Sequence, residues 1–134
     1  MTTSGAISET ANCGSARTSD ATIGASFQFN GFLSGDDGGD ETWVIVIIYF
    51  GGPSVRTYKS TDPGMLGGVT VDRSDGSHWS TLQGGSYDLT FTTVSNQVQY
   101  PSGSVYDAEG SLDATLNPVP GSGASGVVAL HATF

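Results

Sequence analysis

Glycine and proline interrupt this sequence too often for helices of ordinary length. The 134 residues include 20 Gly and 5 Pro, and one of these falls in nearly every window of about 12 residues, the length that a stable helix needs. Apolar residues do not recur at helical spacing, whereas alternation with a period of two is frequent. Such alternation places one side of a strand in a core and the other in water. The sequence therefore predicts an all-β protein.

Turn signals separate the predicted strands at intervals of about 8–12 residues, which is typical of antiparallel sandwiches and barrels. Parallel strands would need helical crossovers, and the sequence predicts none. A chain of 134 residues fits one domain, residues 1–134. We predict eight to ten strands in an antiparallel two-layer β-sandwich, with a closed β-barrel as the alternative.

The strongest predicted strand is Glu41–Phe50, because Trp43 to Phe50 is apolar on both faces. A strand buried on both faces lies centrally in a sheet or crosses between layers. The pair Asp75 and Gly76 predicts a hairpin turn, and Asp62-Pro63-Gly64 predicts a second turn. The other predicted strands are Gly5–Cys13, Thr22–Leu33, Ser54–Lys59, Gly68–Arg73, His78–Leu82, Tyr87–Val94, Val98–Tyr106 (broken by Pro101 and Gly103), Ser111–Leu116 and Val127–Phe134, with a polar loop over Gly14–Asp20.

Alternation within the strands also predicts the core. In the last strand, Val128, Leu130 and Ala132 share one face, while His131 lies on the polar side. The same parity argument applies to the other strands, and in Tyr87–Val94 it places Asp88 outward. The predicted core consists of Phe27, Phe29, Trp43, Ile45, Ile47, Leu89, Phe91, Leu112, Leu130 and Phe134.

The chain is acidic, with a formal net charge of −9 and only four Lys and Arg residues. Nucleic-acid binding requires clustered cations that displace counterions from phosphates, so we expect no nucleic-acid partner. No apolar stretch reaches the roughly 20 residues of a membrane-spanning helix, so we expect no membrane insertion. Cationic partners and metal cations are electrostatically favoured.

An acidic cluster precedes the strongest strand and is the candidate metal site. Asp36, Asp37, Asp40 and Glu41 place four carboxylates within six residues. Calcium takes six to eight oxygen ligands and would relieve the repulsion among them. The spacing differs from that of an EF-hand loop. The alternative is a solvated hairpin tip whose charges discourage edge-to-edge aggregation.

The candidate ligand-binding residues are Trp79, Tyr87 and His78. Trp79 lies in a polar context just after the predicted hairpin turn, and an exposed ring there could stack on the apolar face of a sugar. Three further tyrosines are candidates for the same role. The alternative is that Trp79 belongs to the core and His78 is its exposed neighbour. The three tyrosines that are further candidates for stacking on a sugar are Tyr58, Tyr100 and Tyr106.

No motif predicts catalysis, and no catalytic residue is assigned. The sequence contains neither a Gly-x-Ser-x-Gly elbow nor a phosphate-binding glycine loop, so apart from possible calcium we expect no cofactor. His78, His131 and Cys13 lack the spacing of a zinc site. The single cysteine allows no disulfide within the chain, and we interpret it as a small buried residue.

The chain resembles small exported β-sandwich domains of bacteria, a type found among lipoproteins and domains of unknown function. The resemblance rests on the start Ser4-Gly5-Ala6-Ile7-Ser8, on Cys13 at the end of the first predicted strand, and on the closing strand Gly126–Phe134. Because Cys13 is internal, it cannot be the acylated first residue of a mature lipoprotein. The resemblance implies a location outside the cytoplasm: extracellular, periplasmic or at the cell surface. The start, Met1 to Ala6, reads as a mature terminus with an added Met1, from which a leader has been removed. The alternative is a cytosolic origin.

These observations favour a non-catalytic extracytoplasmic module that binds a protein or glycan partner. Three alternatives stay open at this point. They are a calcium-dependent adhesion module, a hydrolase acting on a polymer, and a structural subunit of a surface assembly that forms oligomers by strand addition.

Overall fold

The computed structural model describes residues 2–6, 13–21, 24–34, 40–49, 52–101 and 103–134. For residues 13–21, 24–26, 28–34 and 40–49 it describes the backbone only. The strands are β1 (Thr2–Gly5), β2 (Cys13–Ala21), β3 (Gly24–Ser34), β4 (Asp40–Tyr49), β5 (Thr57–Lys59), β6 (Leu66–Asp72), β7 (His78–Ser80), β8 (Ser86–Tyr100), β9 (Gly103–Pro118) and β10 (Val128–Thr133).

All strand pairs are antiparallel, and the strands form two packed layers. The first layer has the order β5-β8-β9-β10-β1, and the second has the order β2-β3-β4-β6-β7. The layers join at the two ends of β9, which pairs with β2 at Gly103–Tyr106 and with β7 at Asn117 and Pro118. The predicted all-β sandwich is confirmed, and the described strands do not close into the alternative barrel.

The core lies between the two layers and is joined across them by aromatic rings. Phe27 of the second layer lies 5.6 Å from Phe91 and 4.7 Å from Phe134 of the first, measured between ring centroids. Tyr58 meets Phe91 edge-on at 5.9 Å. Burying a large apolar side chain contributes about 1.5–3 kcal/mol, so this contact between layers is a main source of stability. Of the predicted core, Phe27, Leu89, Phe91, Leu112 and Leu130 are buried and Phe134 is partly buried, while the side chains of Phe29, Trp43, Ile45 and Ile47 lie outside the description.

Two predicted turns are confirmed, and each depends on a glycine. The hairpin between β6 and β7 turns at Asp75 and Gly76, where Gly76 has a φ of 87° that favours glycine. Ser77 donates its backbone N–H to Asp75 over 2.8 Å, and this hydrogen bond lowers the pKa of the Asp75 carboxyl from its ordinary value. At the other turn, the Met65 N–H donates to the Asp62 carbonyl, and Gly64 has a φ of 84°.

The predicted polar loop over Gly14–Asp20 is wrong, since these residues belong to β2. The segment lacks apolar alternation, so the pattern of its own side chains gives no strand signal. It pairs with β3 along its length and with β9 over Thr18–Ala21. Hydrogen bonds to neighbours on both sides therefore specify this strand, which illustrates how strongly β structure depends on context.

The predicted broken strand over Val98–Tyr106 is also wrong. Pro101 and Gly103 mark the turn of a long hairpin, in which Tyr100 at the end of β8 pairs with Gly103 at the start of β9. Residues Thr81–Gln83 form one short 3-10 turn, although no helix was predicted. Of the predicted first strand, residues 7–12 lie outside the described residues, and Cys13 begins β2.

Candidate functional site

Trp79 is a core residue, which is the alternative that the sequence left open. It pairs with Val71 in the β6–β7 hairpin, and only 4% of its surface is exposed. Its indole Nε1–H donates to the Gly126 carbonyl over 3.1 Å. A ring buried to this extent offers no face on which a sugar could stack, so Trp79 serves packing rather than binding.

Tyr87 and His78 do not join Trp79 at a common surface. The Tyr87 side chain is buried, and this burial, with a smaller effect from the Asp62 charge, raises the pKa of its hydroxyl above the ordinary value. His78 lies partly exposed at the start of β7, where its Nδ1 contacts the Asp72 carboxylate. Successive strand residues point to opposite faces, so His78 and Trp79 cannot act together. Of the other tyrosine candidates, Tyr58 is buried and Tyr100 is exposed.

The predicted metal site falls largely outside the description. Asp36 and Asp37 lie outside the described residues, and only the backbone of Asp40 and Glu41 is described, at the start of β4. Within the described part of the chain, no group of three or more His, Cys, Asp and Glu residues could hold a metal ion. Calcium binding by the acidic cluster therefore stays a prediction.

The first layer instead brings together a set of polar residues that are far apart in the sequence. Strand pairing aligns Lys59 with Asp88, Asp88 with Asp113, and Asp113 with His131. His131 in turn pairs with Thr2 of β1. Because cross-strand partners lie on the same face, these five residues form one line across five strands, which we call the charged row.

Basic residues flank the two adjacent carboxylates of the charged row and reduce the repulsion between them. Asp88 and Asp113 are direct cross-strand partners, an arrangement that is unfavourable for like charges. Lys59 Nζ lies 3.6 Å from Asp88 Oδ2, and His131 Nδ1 lies 2.6 Å from Asp113 Oδ1. An ionised carboxylate only accepts hydrogen bonds, so His131 donates from Nδ1 and directs Nε2 away from Asp113.

Beside the charged row lies a parallel row of small residues. Strand pairing aligns Ser86, Thr115, Ala129 and Ser4, all of them exposed. Their short side chains leave an open groove of about 420 Å³ above the sheet, which we call the outer groove. Asp88, Asp113 and His131 also line it. The outer groove thus has two carboxylates and an imidazole along one side and hydroxyl groups on its floor.

Sequence reasoning anticipated the parts of this site but not the site itself. The alternation predicted that Asp88 and His131 face away from the core, and both do. It could not predict that Asp113 lies between them, because that depends on the registers of three strands. The length of the β8–β9 hairpin sets one of those registers, and this hairpin was predicted wrongly.

Comparisons with protein-family models, curated proteins and solved structures give no match to this chain. No helix in the described ranges has the length and apolar character that a membrane-spanning helix requires. Any statement of function therefore depends on the chemistry of the residues themselves.

Proposed function

We propose that this chain is a non-catalytic, extracytoplasmic binding module that holds a neutral, hydroxyl-rich glycan in the outer groove. The observation that carries the proposal is the pair of carboxylates, Asp88 and Asp113, beside a floor of small hydroxyl residues. Carboxylates accept hydrogen bonds from sugar hydroxyls, and hydrogen bonds to charged groups contribute about 1.5–3 kcal/mol each.

The chemistry of the outer groove disfavours apolar, anionic and protein ligands. Its lining is mostly polar, so an apolar molecule would lose hydration without gaining apolar contacts. Two adjacent carboxylates repel an anion. Protein interfaces usually depend on exposed Trp, Tyr and Arg anchors, and among the described groove residues the one aromatic, Tyr87, is buried. A glycan is the ligand that uses hydroxyls, carboxylates and the imidazole together.

The test is a nuclear magnetic resonance titration of the 15N-labelled chain with a panel of neutral oligosaccharides built from glucose, mannose, galactose or N-acetylglucosamine. We expect shift changes at groove residues of β1, β8, β9 and β10. Affinity should be weak, in the millimolar range, because no exposed aromatic ring lies in the outer groove to stack on the ligand. If no sugar in the panel shifts any resonance, or if the shifts lie elsewhere, the proposal is wrong.

Two pairs of variants separate groove binding from indirect effects. Ala129→Trp should fill the outer groove and abolish binding, whereas Thr133→Trp lies on the same face of the same strand outside the groove and should leave it intact. Asp113→Asn should weaken binding about tenfold, equivalent to about 1.4 kcal/mol. Asp107→Asn is its control, because Asp107 lies on the same face of β9, roughly 20 Å along the strand.

A further inference from the structure

The outer groove is longer across the strands than along them. Its floor is the row of short side chains formed by Ser86 on β8, Thr115 on β9, Ala129 on β10 and Ser4 on β1, which we call the small row. Four strands at a spacing of about 4.8 Å make the groove roughly 14 Å long between the axes of the outer two. The small row and the charged row lie two residues apart on each strand, roughly 7 Å. An elongated ligand in this groove therefore lies across the strands.

The charged row forms one wall of the outer groove and presents a hydrogen-bond acceptor on each of three adjacent strands. Asp88 on β8 and Asp113 on β9 are carboxylates, which can only accept when they are ionised. His131 on β10 donates from Nδ1 to Asp113, so in the neutral imidazole its Nε2 is an acceptor as well. These acceptors follow one another at steps of about 4.8 Å. The wall thus favours a ligand whose edge carries O–H donors at a similar repeat.

No described strand closes either end of the small row. At one end, Ser4 lies on β1, the outermost described strand of the first layer. At the other end, β5 pairs with β8 only over Asp88–Thr90, so it reaches the charged row but stops short of Ser86. Within the described residues, the outer groove is therefore open at both ends, and a ligand longer than the groove can extend past them. Recognition of a chain end would need a closed end instead.

We infer that the ligand of the outer groove is an internal segment of a linear, extended glycan that crosses the four strands, with one sugar unit over each strand. This inference rests on the proposed function and names the class of glycan. In chains joined through equatorial bonds, such as β-1,4-linked glucose, mannose or N-acetylglucosamine, each unit lengthens the chain by close to one strand spacing. Chains such as α-1,4-linked glucose are helical and curve away from a straight row. An extended chain therefore presents its hydroxyls to the wall at the repeat of the strands.

The same wall predicts which glycans bind poorly. Uronic acids and sulfated sugars bring anionic groups towards Asp88 and Asp113, and like charges repel. Sugars whose hydroxyls are methylated or acetylated offer no O–H donor, so the acceptors of the wall would lose their hydration without a replacement. The preferred ligand is therefore an uncharged chain with free hydroxyls along the edge that faces the charged row.

The test is a titration of the whole chain, followed by nuclear magnetic resonance, with β-1,4-linked glucose, mannose and N-acetylglucosamine oligomers of increasing length. Affinity should rise about tenfold or more from the disaccharide to the tetrasaccharide and change little beyond it, because four units cover four strands. Maltotetraose, which is α-1,4-linked, is the control for shape and should bind about tenfold more weakly than the best β-linked tetrasaccharide. The methyl glycoside of that tetrasaccharide should bind equally well, and its fully O-methylated form should not bind.

Variants at the two ends of the small row change the length of the outer groove. Ser86→Trp should shorten it by one strand, so that the tetrasaccharide binds only as well as the trisaccharide while the disaccharide is unaffected. Ser4→Trp should have the same effect from the other end. Thr133→Trp, on the same face outside the groove, is the control. All three positions are exposed, so unchanged circular dichroism and melting should confirm that the variants fold.

The outcomes separate this inference from the proposed function. The inference is wrong if maltotetraose binds as well as the β-linked chains, if affinity stops rising at one or two units, or if the methyl glycoside fails to bind. It is also wrong if both serine substitutions leave the length dependence unchanged. In each of these cases, binding in the outer groove would still support the proposed function. If no sugar shifts any groove resonance, both proposals fail.

Discussion

The two outer faces of this sandwich differ in the polarity of their exposed side chains. The first layer presents the charged row and the outer groove, where hydroxyls, carboxylates and an imidazole meet water. The second presents exposed leucines beside a strand that is apolar at both parities. Both layers share one core, and that core does not distinguish them. The difference indicates that the core determines the fold, while the outward residues determine what each face contacts.

The strands β10 and β4, one from each layer, differ in the pattern of their apolar residues. Burial in β10 alternates along its whole length, with Val128, Leu130 and Ala132 inside. Each outward residue of β10 is therefore exposed to water or to a ligand. In β4 the sequence is apolar at both parities from Trp43 to Tyr49, so it shows no such alternation.

The largest predicted effect contrasts the core with the charged row on one strand. Leu112 is fully buried in β9, and its neighbour Asp113 faces the outer groove. Leu112→Ala should lower the free energy of unfolding by about 2–5 kcal/mol, because it removes apolar burial and leaves a cavity. Asp113→Ala should cost less than about 1 kcal/mol, as an exposed pair does. Urea denaturation measures both, and equal costs would mean that β9 does not separate core from surface.

The predictable part of the fold is the part in which side chains alternate clearly or a turn needs glycine. The strand Val127–Phe134 and the hairpin at Gly76 meet these conditions, and both were predicted correctly. β2 meets neither condition, since backbone pairing with two neighbours specifies it. The residues of β2 themselves do not indicate this pairing, so the sequence did not predict the strand.

The candidate site was harder to predict than the fold for a related reason. Trp79 attracted attention because its neighbours in sequence are polar, yet those neighbours point to the opposite face. The centre of the charged row depends on two registers, β8 with β9 and β9 with β10, which bring together Asp88, Asp113 and His131. Register follows from turns and from the whole hydrophobic pattern, so a polar site that crosses several strands is invisible until the strands are aligned.

An intermediate effect on stability is expected when one glycine in each layer is replaced by alanine. In the first layer, a Cβ atom at Gly110 would lie 1.9 Å from the Thr90 carbonyl oxygen, which belongs to the backbone of β8. In the second, a Cβ atom at Gly68 would meet the Thr81 and Leu82 side chains at 2.7 and 3.1 Å. Gly110→Ala should cost about 1–3 kcal/mol because the strands must separate.

Gly68→Ala should cost less, about 1 kcal/mol, because exposed Leu82 can move aside and Ala restricts the unfolded chain. It would still disturb the hydrogen bond of 3.0 Å that Val69 N–H donates to Thr81 Oγ1. Thermal melting of the two variants gives the order directly. If Gly68→Ala were the more costly change, the Thr81 and Leu82 side chains would be held too firmly to move aside.

The smallest effect concerns the ion pair at the end of the charged row. Lys59 and Asp88 are both about half exposed, and their 3.6 Å contact is open to screening by salt. Lys59→Ala should therefore lower the free energy of unfolding by less than about 1 kcal/mol. Asp88→Asn should be nearly neutral, because it loses Lys59 but also relieves the repulsion from Asp113. A double-mutant cycle in urea, at low and high salt, measures the coupling between Lys59 and Asp88.

A coupling of several kcal/mol would show that the charged row holds the first layer together. A value near zero, with oligosaccharide binding lost in Asp88→Asn, would show that its carboxylates are kept for the ligand.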